Sequence, residues 1–275
     1  MAERLLLSQI IQNPYYLRSK AKGWIRKYHL GSYKQRLNIG AIERPHYGYC
    51  LYNASVLAKK LGYDRISVIE FGVAGGEGLL QLERHAHHIE KLLSLGINIY
   101  GFDIGEGLPE PVDYRDLPYH WKKGFYKMDV PTLQDKLKVA KLILGDVKET
   151  VETFFEKYAP PPIGAVMFDL DFYSSTTNAL KIFEAPDTYF LPRIYCYFDD
   201  VVGSKEIELY NDYIGVRLAI HEFNQNHIEK KLGIAYHLLA RQIVEKWYHK
   251  IWIYHDFSHR RYNVFISKET QELPL

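Results

Sequence analysis

An α/β fold built on a doubly wound, mostly parallel sheet is what this 275-residue chain predicts, and three observations predict it. From Tyr47 onward, strand-like and helix-like segments alternate five times. The helical segments run about 10–20 residues, long enough to cross between parallel strands. Residues able to do chemistry gather where those strands should end, and open parallel sheets hold ligands there.

Along the chain, residues 1–45 form a basic helical extension. No Asp or Glu occurs between Arg4 and Ile42, while Arg18, Lys20, Lys22, Arg26, Lys27, Lys34 and Arg36 crowd together with Tyr15, Tyr16, Trp24 and Tyr28. Such a segment suits an anionic surface or a phosphate-bearing ligand; equally, it suits a solvated arm packed on the domain or on a second subunit, which would make a homo-oligomer. The domain proper spans 46–275. It opens with "CLYNASVLAKKLG", apolar at helical spacing and stopped by Gly62. "ISVIEFG" is a short β-branched run that reads as a buried strand. "GLLQLERHAHHIEKLLSLG" is a helix ended by Gly96, and "INIYGFD" the second strand. Residues 104–129 carry Pro109, Pro111, Pro118 and three glycines. So long an irregular connection tends to be functional, and a lid is expected.

"TLQDKLKVA" (helix), "KLILGD" (strand) and "VKETVETFFEKY" (helix) follow, and Pro160–Pro162 break the chain before "IGAVMFDLD", the fourth strand. A helix around "STTNALKIFEA", a fifth strand "RIYCYFDD" and a long helical stretch "KEIELYNDYIGVRLAIHEFNQNH" come next. Of "IAYHLLA", "KIWIYHDF" and "YNVFIS", two complete a sheet of seven strands, with an antiparallel strand at its C-terminal side; the pattern does not choose between them.

Composition excludes several classes. The chain has 35 basic and 33 acidic residues, 47% hydrophobic and 25% charged, an ordinary balance that gives no reason to expect nucleic acid. No apolar run approaches the ~20 residues a membrane helix needs, so no stable membrane insertion is expected. "LLLSQII" is too short for a secretory signal, and two distant cysteines, Cys50 and Cys196, suit reduced thiols in a cytoplasmic protein.

The stretch "VIEFGVAGGEG" reads E-x-G-x-x-G-G-x-G, with Glu70, Gly72, Gly75, Gly76 and Gly78. Glycines in a strand-to-helix turn let a ligand approach the backbone. A dinucleotide fingerprint requires G-x-G-x-x-G, but Ala74 stands where its second glycine belongs, and Glu70 and Glu77 surround the turn with negative charge. A cationic, phosphate-free cofactor tolerates what a pyrophosphate would not. Asp103, ending the second strand, is placed to accept both hydroxyls of a ribose in either cofactor type. Asp146, ending the third, is placed to accept from an adenine amino group or to cap the following helix.

The fourth and fifth strands end in "FDLDFYSST" and "YFDD". Asp169 and Asp171 share a face if the strand continues that far, and Asp199 and Asp200 end a neighbouring strand about 4.8 Å away. Carboxylates so close must protonate, cap a helix, meet the cofactor's charge or bind a hard divalent cation such as Mg2+. The preferred metal ligands are Asp171, Asp199 and Asp200, with Asp169 facing the cofactor.

"EFGVAGGEG", "YGFD", "LGD", "FDLDFYSST" and "FDD" together resemble the successive motifs of class I S-adenosylmethionine-dependent methyltransferases. Within that class, the two Asp pairs are similar to those of the macrocin/mycinamicin-type, Mg2+-dependent sugar O-methyltransferases. The resemblance covers roughly residues 47–203. It implies a Rossmann-like fold, methyl transfer to a hydroxyl of a small-molecule acceptor, and S-adenosylmethionine with Mg2+ as cofactors. Glu70, Gly72 and Gly78 would then border the methionine part, Asp103 the ribose and Asp146 the adenine; Asp171, Asp199 and Asp200 would hold the metal. The family's general base is a loop histidine, for which His120 in "LPYHWKKG" is the loose match; Asp171 is the other candidate. Leu170 replaces the glycine usual between the paired Asp residues, and Val201 an aromatic after "DD". An NAD-dependent oxidoreductase and a non-catalytic cofactor binder remain alternatives.

Overall fold

The computed structural model describes residues 14–203 and 205–267, so "LLLSQII" and the start of the extension lie outside the described residues. The elements, in chain order, are α1 (Pro14–Lys27), α2 (Tyr33–Asn38), α3 (Pro45–Lys60), β1 (Arg65–Phe71), α4 (Glu77–Leu93), β2 (Gly96–Asp103), α5 (Val130–Lys136), β3 (Lys141–Leu144), α6 (Val147–Tyr158) and β4 (Ile163–Phe168). Then come α7 (Tyr173–Leu180), β5 (Phe190–Phe198), α8 (Gly215–Asn226), β6 (Lys230–Ile234), α9 (Tyr236–Leu239) and β7 (Ile251–Asp256).

The seven strands lie in the order β3-β2-β1-β4-β5-β7-β6. Those from β3 to β5 run parallel, and β7 is antiparallel to both β5 and β6. The sheet is therefore the Rossmann-like, mostly parallel, seven-stranded one expected. Its central strands are apolar on both faces because helices cover both. Ile66 and Val68 of β1 join Leu51, Leu79 and Leu82 on one side. Ile69 and Phe71 join Phe154, Phe183 and Phe223 on the other. Strand order reverses between β1 and β4, and a crevice at their carboxyl ends follows from that switch.

Three expectations are redrawn. The helix anticipated over 205–227 forms only from Gly215; the residues before it bend so that Tyr210 reaches Trp121 of the 104–129 loop, with Trp121 Nε1 donating to its hydroxyl at 3.0 Å. The sixth strand is "KKLGI", largely ahead of "IAYHLLA", which turns into α9 and buries Leu238. "YNVFIS" forms no strand, because β5 and β6 already occupy both edges of β7.

Helix α1 packs on its own domain. Arg18 donates to Glu245 at 2.9 Å, Lys22 pairs with the same carboxylate, and Arg26 meets Glu43 at 3.2 Å. Cys50 and Cys196 are buried free thiols. No described helix is long and apolar enough to cross a membrane.

Candidate functional site

At the carboxyl end of β1 the chain turns through Gly72, whose φ of +83° favours glycine. Close packing demands glycine there as well: a Cβ would lie 1.7 Å from the Asp169 carbonyl oxygen. At Gly78 a Cβ would fall 1.8 Å from Glu70 Oε1. Gly75 faces open space, and with Gly76 it lines a cavity. Asp103 fixes the turn: its Oδ2 accepts from the Val73 and Ala74 amides at 2.8 Å each, and its Oδ1 from the Gly105 amide at 2.6 Å. Asp103 thus holds the backbone as well as facing the cavity. Asp146 also does two things, capping α6 through the Lys148 amide (2.8 Å) while lining the same cavity beside Ile104 and Val147.

Glu70 sits beneath the turn, 1% exposed. Tyr47 donates its hydroxyl to Oε1 at 2.7 Å, while Oε2 is buried with no partner among the described residues. Burial pushes this carboxyl up to about 8, against the Tyr47 hydrogen bond.

Beyond β4 and β5 lies the acidic cluster. One ligand atom from each of Asp169, Asp199 and Asp200 lies within 4.8 Å of the others. The tight group thus holds Asp169 in the place the sequence reading gave to Asp171. β4 ends at Phe168, and Asp171 takes a left-handed φ of +57°, so the alternation that would align Asp169 with Asp171 has stopped. Asp171 stands next to the group, its amide donating to Asp200 Oδ2 at 3.0 Å. Burial, then mutual repulsion, raises Asp169 to about 7 and Asp171 to about 8, and Asp200 rises for the same reasons. Burial works against the charge of Asp199 too, but Lys250 Nζ at 2.9 Å and the Tyr197 hydroxyl hold it below the usual range. Four carboxylates face two fixed cations, Lys250 and Arg44, whose Nη1 is 4.0 Å from Asp169 Oδ2. Were all four ionised, two negative charges would be left over, which is the repulsion that, after burial, raises Asp169, Asp171 and Asp200. An all-oxygen donor set with that excess fits a divalent ion.

Two adjoining cavities share Gly72, Ala74, Tyr126, Asp169 and Asp171 as walls. One runs over Asp103, Ile104, Gly145, Asp146 and Val147; the other covers the glycine turn and the acidic cluster. Four of the eight described non-glycine residues with positive φ line them: Arg44, Ala74, Tyr126 and Asp171. Strained backbone of this kind concentrates at functional sites. The 104–129 loop lies over the crevice, with Trp121 and Tyr126 in the wall. His120 points elsewhere, its Nε2 3.5 Å from Glu208 Oε1; Glu208 itself lines the cavity. Sequence reasoning missed Arg44, Tyr47, Lys250 and Glu208.

No family model matches the chain, and no curated protein matches it by sequence. Solved structures do resemble it. The calicheamicin methyltransferase CalS11 aligns with a TM-score of 0.51 at 19% identity, over 88% of this chain and 92% of its own. The O-methyltransferase NovP aligns with a TM-score of 0.51 at 13% identity, over 77% and 79%. This chain has the methyltransferase fold. At these identities the likeness is one of architecture, and the side chains above must carry the chemistry.

Proposed function

We propose that the protein transfers a methyl group from S-adenosylmethionine to a hydroxyl of a small molecule, a sugar or other natural product, with a divalent metal. One observation carries the reading: a glycine turn walled by carboxylates adjoins a three-carboxylate cluster at the switch point of the sheet. The CalS11 and NovP likenesses favour the same class.

In this reading Asp103 accepts the ribose hydroxyls, and Asp146 and Val147 border the adenine. Gly72, Gly75, Gly76 and Gly78 give the methionine part room beside the backbone. When bound, S-adenosylmethionine supplies an electrophilic methyl group, and a divalent ion supplies a charge that makes a hydroxyl more acidic. Asp169, Asp199 and Asp200 would hold that ion, with Asp171 beside it. Asp171 stands where the two cavities join, so it is the carboxylate we assign to take the acceptor's proton. His120 acts at one remove, orienting Glu208. Trp121 and Tyr126 exclude water and bound the acceptor. Holding both reactants in line supplies much of the acceleration.

Transfer from methyl-labelled S-adenosylmethionine to a panel of sugar and phenolic acceptors, with Mg2+ or with EDTA, tests this. Labelled product that needs the metal supports it. Cofactor binding with no transfer to any acceptor would leave a binding protein instead.

A further inference from the structure

The three residues that follow Asp171 are each held by the 104–129 loop. Phe172, fully buried, packs in one apolar cluster with Leu117 and Trp121. Arg115 lies over the Tyr173 ring, 4.2 Å from its centroid, and its Nη1 donates to the Tyr173 hydroxyl at 2.9 Å. Ser174 gives both its amide and its hydroxyl to the Asp116 carboxylate, each at 2.8 Å. Trp121 reaches the same turn by a second route. The Tyr210 hydroxyl that accepts from its Nε1 donates in turn to the Asp171 carbonyl at 3.5 Å.

Asp116 is the centre of this grip. It ends a single 3-10 turn, Tyr114–Asp116, and is fully buried. A carboxylate taken out of water needs its oxygens satisfied. Here Oδ1 accepts from the Ser174 amide, while Oδ2 accepts from the Ser174 hydroxyl and, at 2.9 Å, from the Val112 amide. The neighbouring Arg115 is taken by Asp113 at 2.7 Å. Helix α7 has no cap of its own, since Phe172 stands at its N-cap position, and Asp116 supplies that cap from the loop. Val112 and Ser174 both line the cavity over Asp103 and Asp146, and Asp171, three residues before Ser174, lines both cavities. Asp171 keeps a left-handed φ of +57°, a conformation that persists only where the surroundings impose it. The contacts on its next three residues impose it.

We propose that Asp116 is a positioning residue: by fastening the 104–129 loop to the first turn of α7 it holds Asp171 in its strained turn, so that loop seating and the placing of Asp171 are one event. This rests on the proposed function for the role of Asp171, which there takes the acceptor's proton. Asp116 touches neither reactant and acts through Ser174 and the backbone between. A loop lifted from α7 frees the backbone at Asp171, so proton removal is available only beneath a seated loop.

Asp116→Asn tests this with little change of volume. The Val112 and Ser174 amides lie on opposite carboxylate oxygens, so with Asn one of them must face an NH2 group. Amide exchange should quicken about 10-fold or more, the scale of one buried hydrogen bond, at Val112, Ser174 and Asp171, whose own amide donates to Asp200. Exchange at Val73, Ala74 and Gly105, held by Asp103, should stay unchanged and reports that the variant is folded. In methyl transfer kcat should fall about 10-fold or more, with the acceptor KM within about 3-fold of native. Ser174→Ala, which keeps both amide bonds to Asp116, should show the same pattern more weakly. Quickening at Val112 and Ser174 alone, or at all of these amides alike, overturns the proposal, as does a loss carried by KM with kcat intact. Should the native protein transfer no methyl group, the proposed function fails, and exchange at Asp171 still decides whether Asp116 holds that turn.

Discussion

Replacing Glu70 by Gln should make the protein more stable at neutral and alkaline pH. The unfolded carboxyl titrates near 4.5 and the folded one near 8, because burial penalises its charge. Between these values the folded state holds a proton that the unfolded state has released, so native stability falls as pH rises through this window and levels off above it. Each pH unit in the window costs up to about 1.4 kcal/mol from this one group, a ceiling of about 4 kcal/mol from pH 5 to 8. Gln mimics the protonated acid: it can accept from the Tyr47 hydroxyl and cannot ionise. Urea unfolding of both proteins from pH 5 to 8 should therefore give curves that nearly coincide at pH 5 and diverge by a few kcal/mol at pH 8, with Glu70→Gln the more stable. Parallel pH profiles would refute the reasoning, since the carboxyl would then not be ionising against its burial.

Gly72→Ala should lose about 3 kcal/mol or more in urea unfolding, because its Cβ would sit 1.7 Å from a carbonyl oxygen of the crossing chain; a loss under about 1 kcal/mol would mean the turn yields easily. Asp103→Ala strands three amide donors, and should speed hydrogen exchange at Val73, Ala74 and Gly105 and cost about 2 kcal/mol. Unchanged exchange there would show that Asp103 does not hold the turn. The double change Asp199→Ala with Asp200→Ala should abolish Mg2+ binding in calorimetry; unaltered binding would put the ion elsewhere.

What the sequence made legible is local. The run "ISVIEFG" forms β1, in which six successive residues are buried, all apolar or small except Glu70, and the glycines after it form the turn expected and line a cavity. Asp103 and Asp146 were placed correctly at strand ends, but their grip on the backbone was legible only for Asp146, as a cap. The pairing of Asp169 with Asp171 failed because a period-two argument needs a strand through both, and β4 ends at Phe168, three residues short of Asp171. Arg44 and Lys250 were invisible for a different reason: each acts across the fold. Lys250 reaches Asp199 over a separation of 51 residues, only because β7 inserts antiparallel beside β5. Three similar C-terminal segments gave no sign of which would do so.

Calorimetric titration of the purified protein with S-adenosylhomocysteine and with NAD, each with and without Mg2+, tests the central claim most directly. The account predicts micromolar or tighter binding of S-adenosylhomocysteine and none of NAD. Binding of NAD, or no binding of S-adenosylhomocysteine, would contradict it.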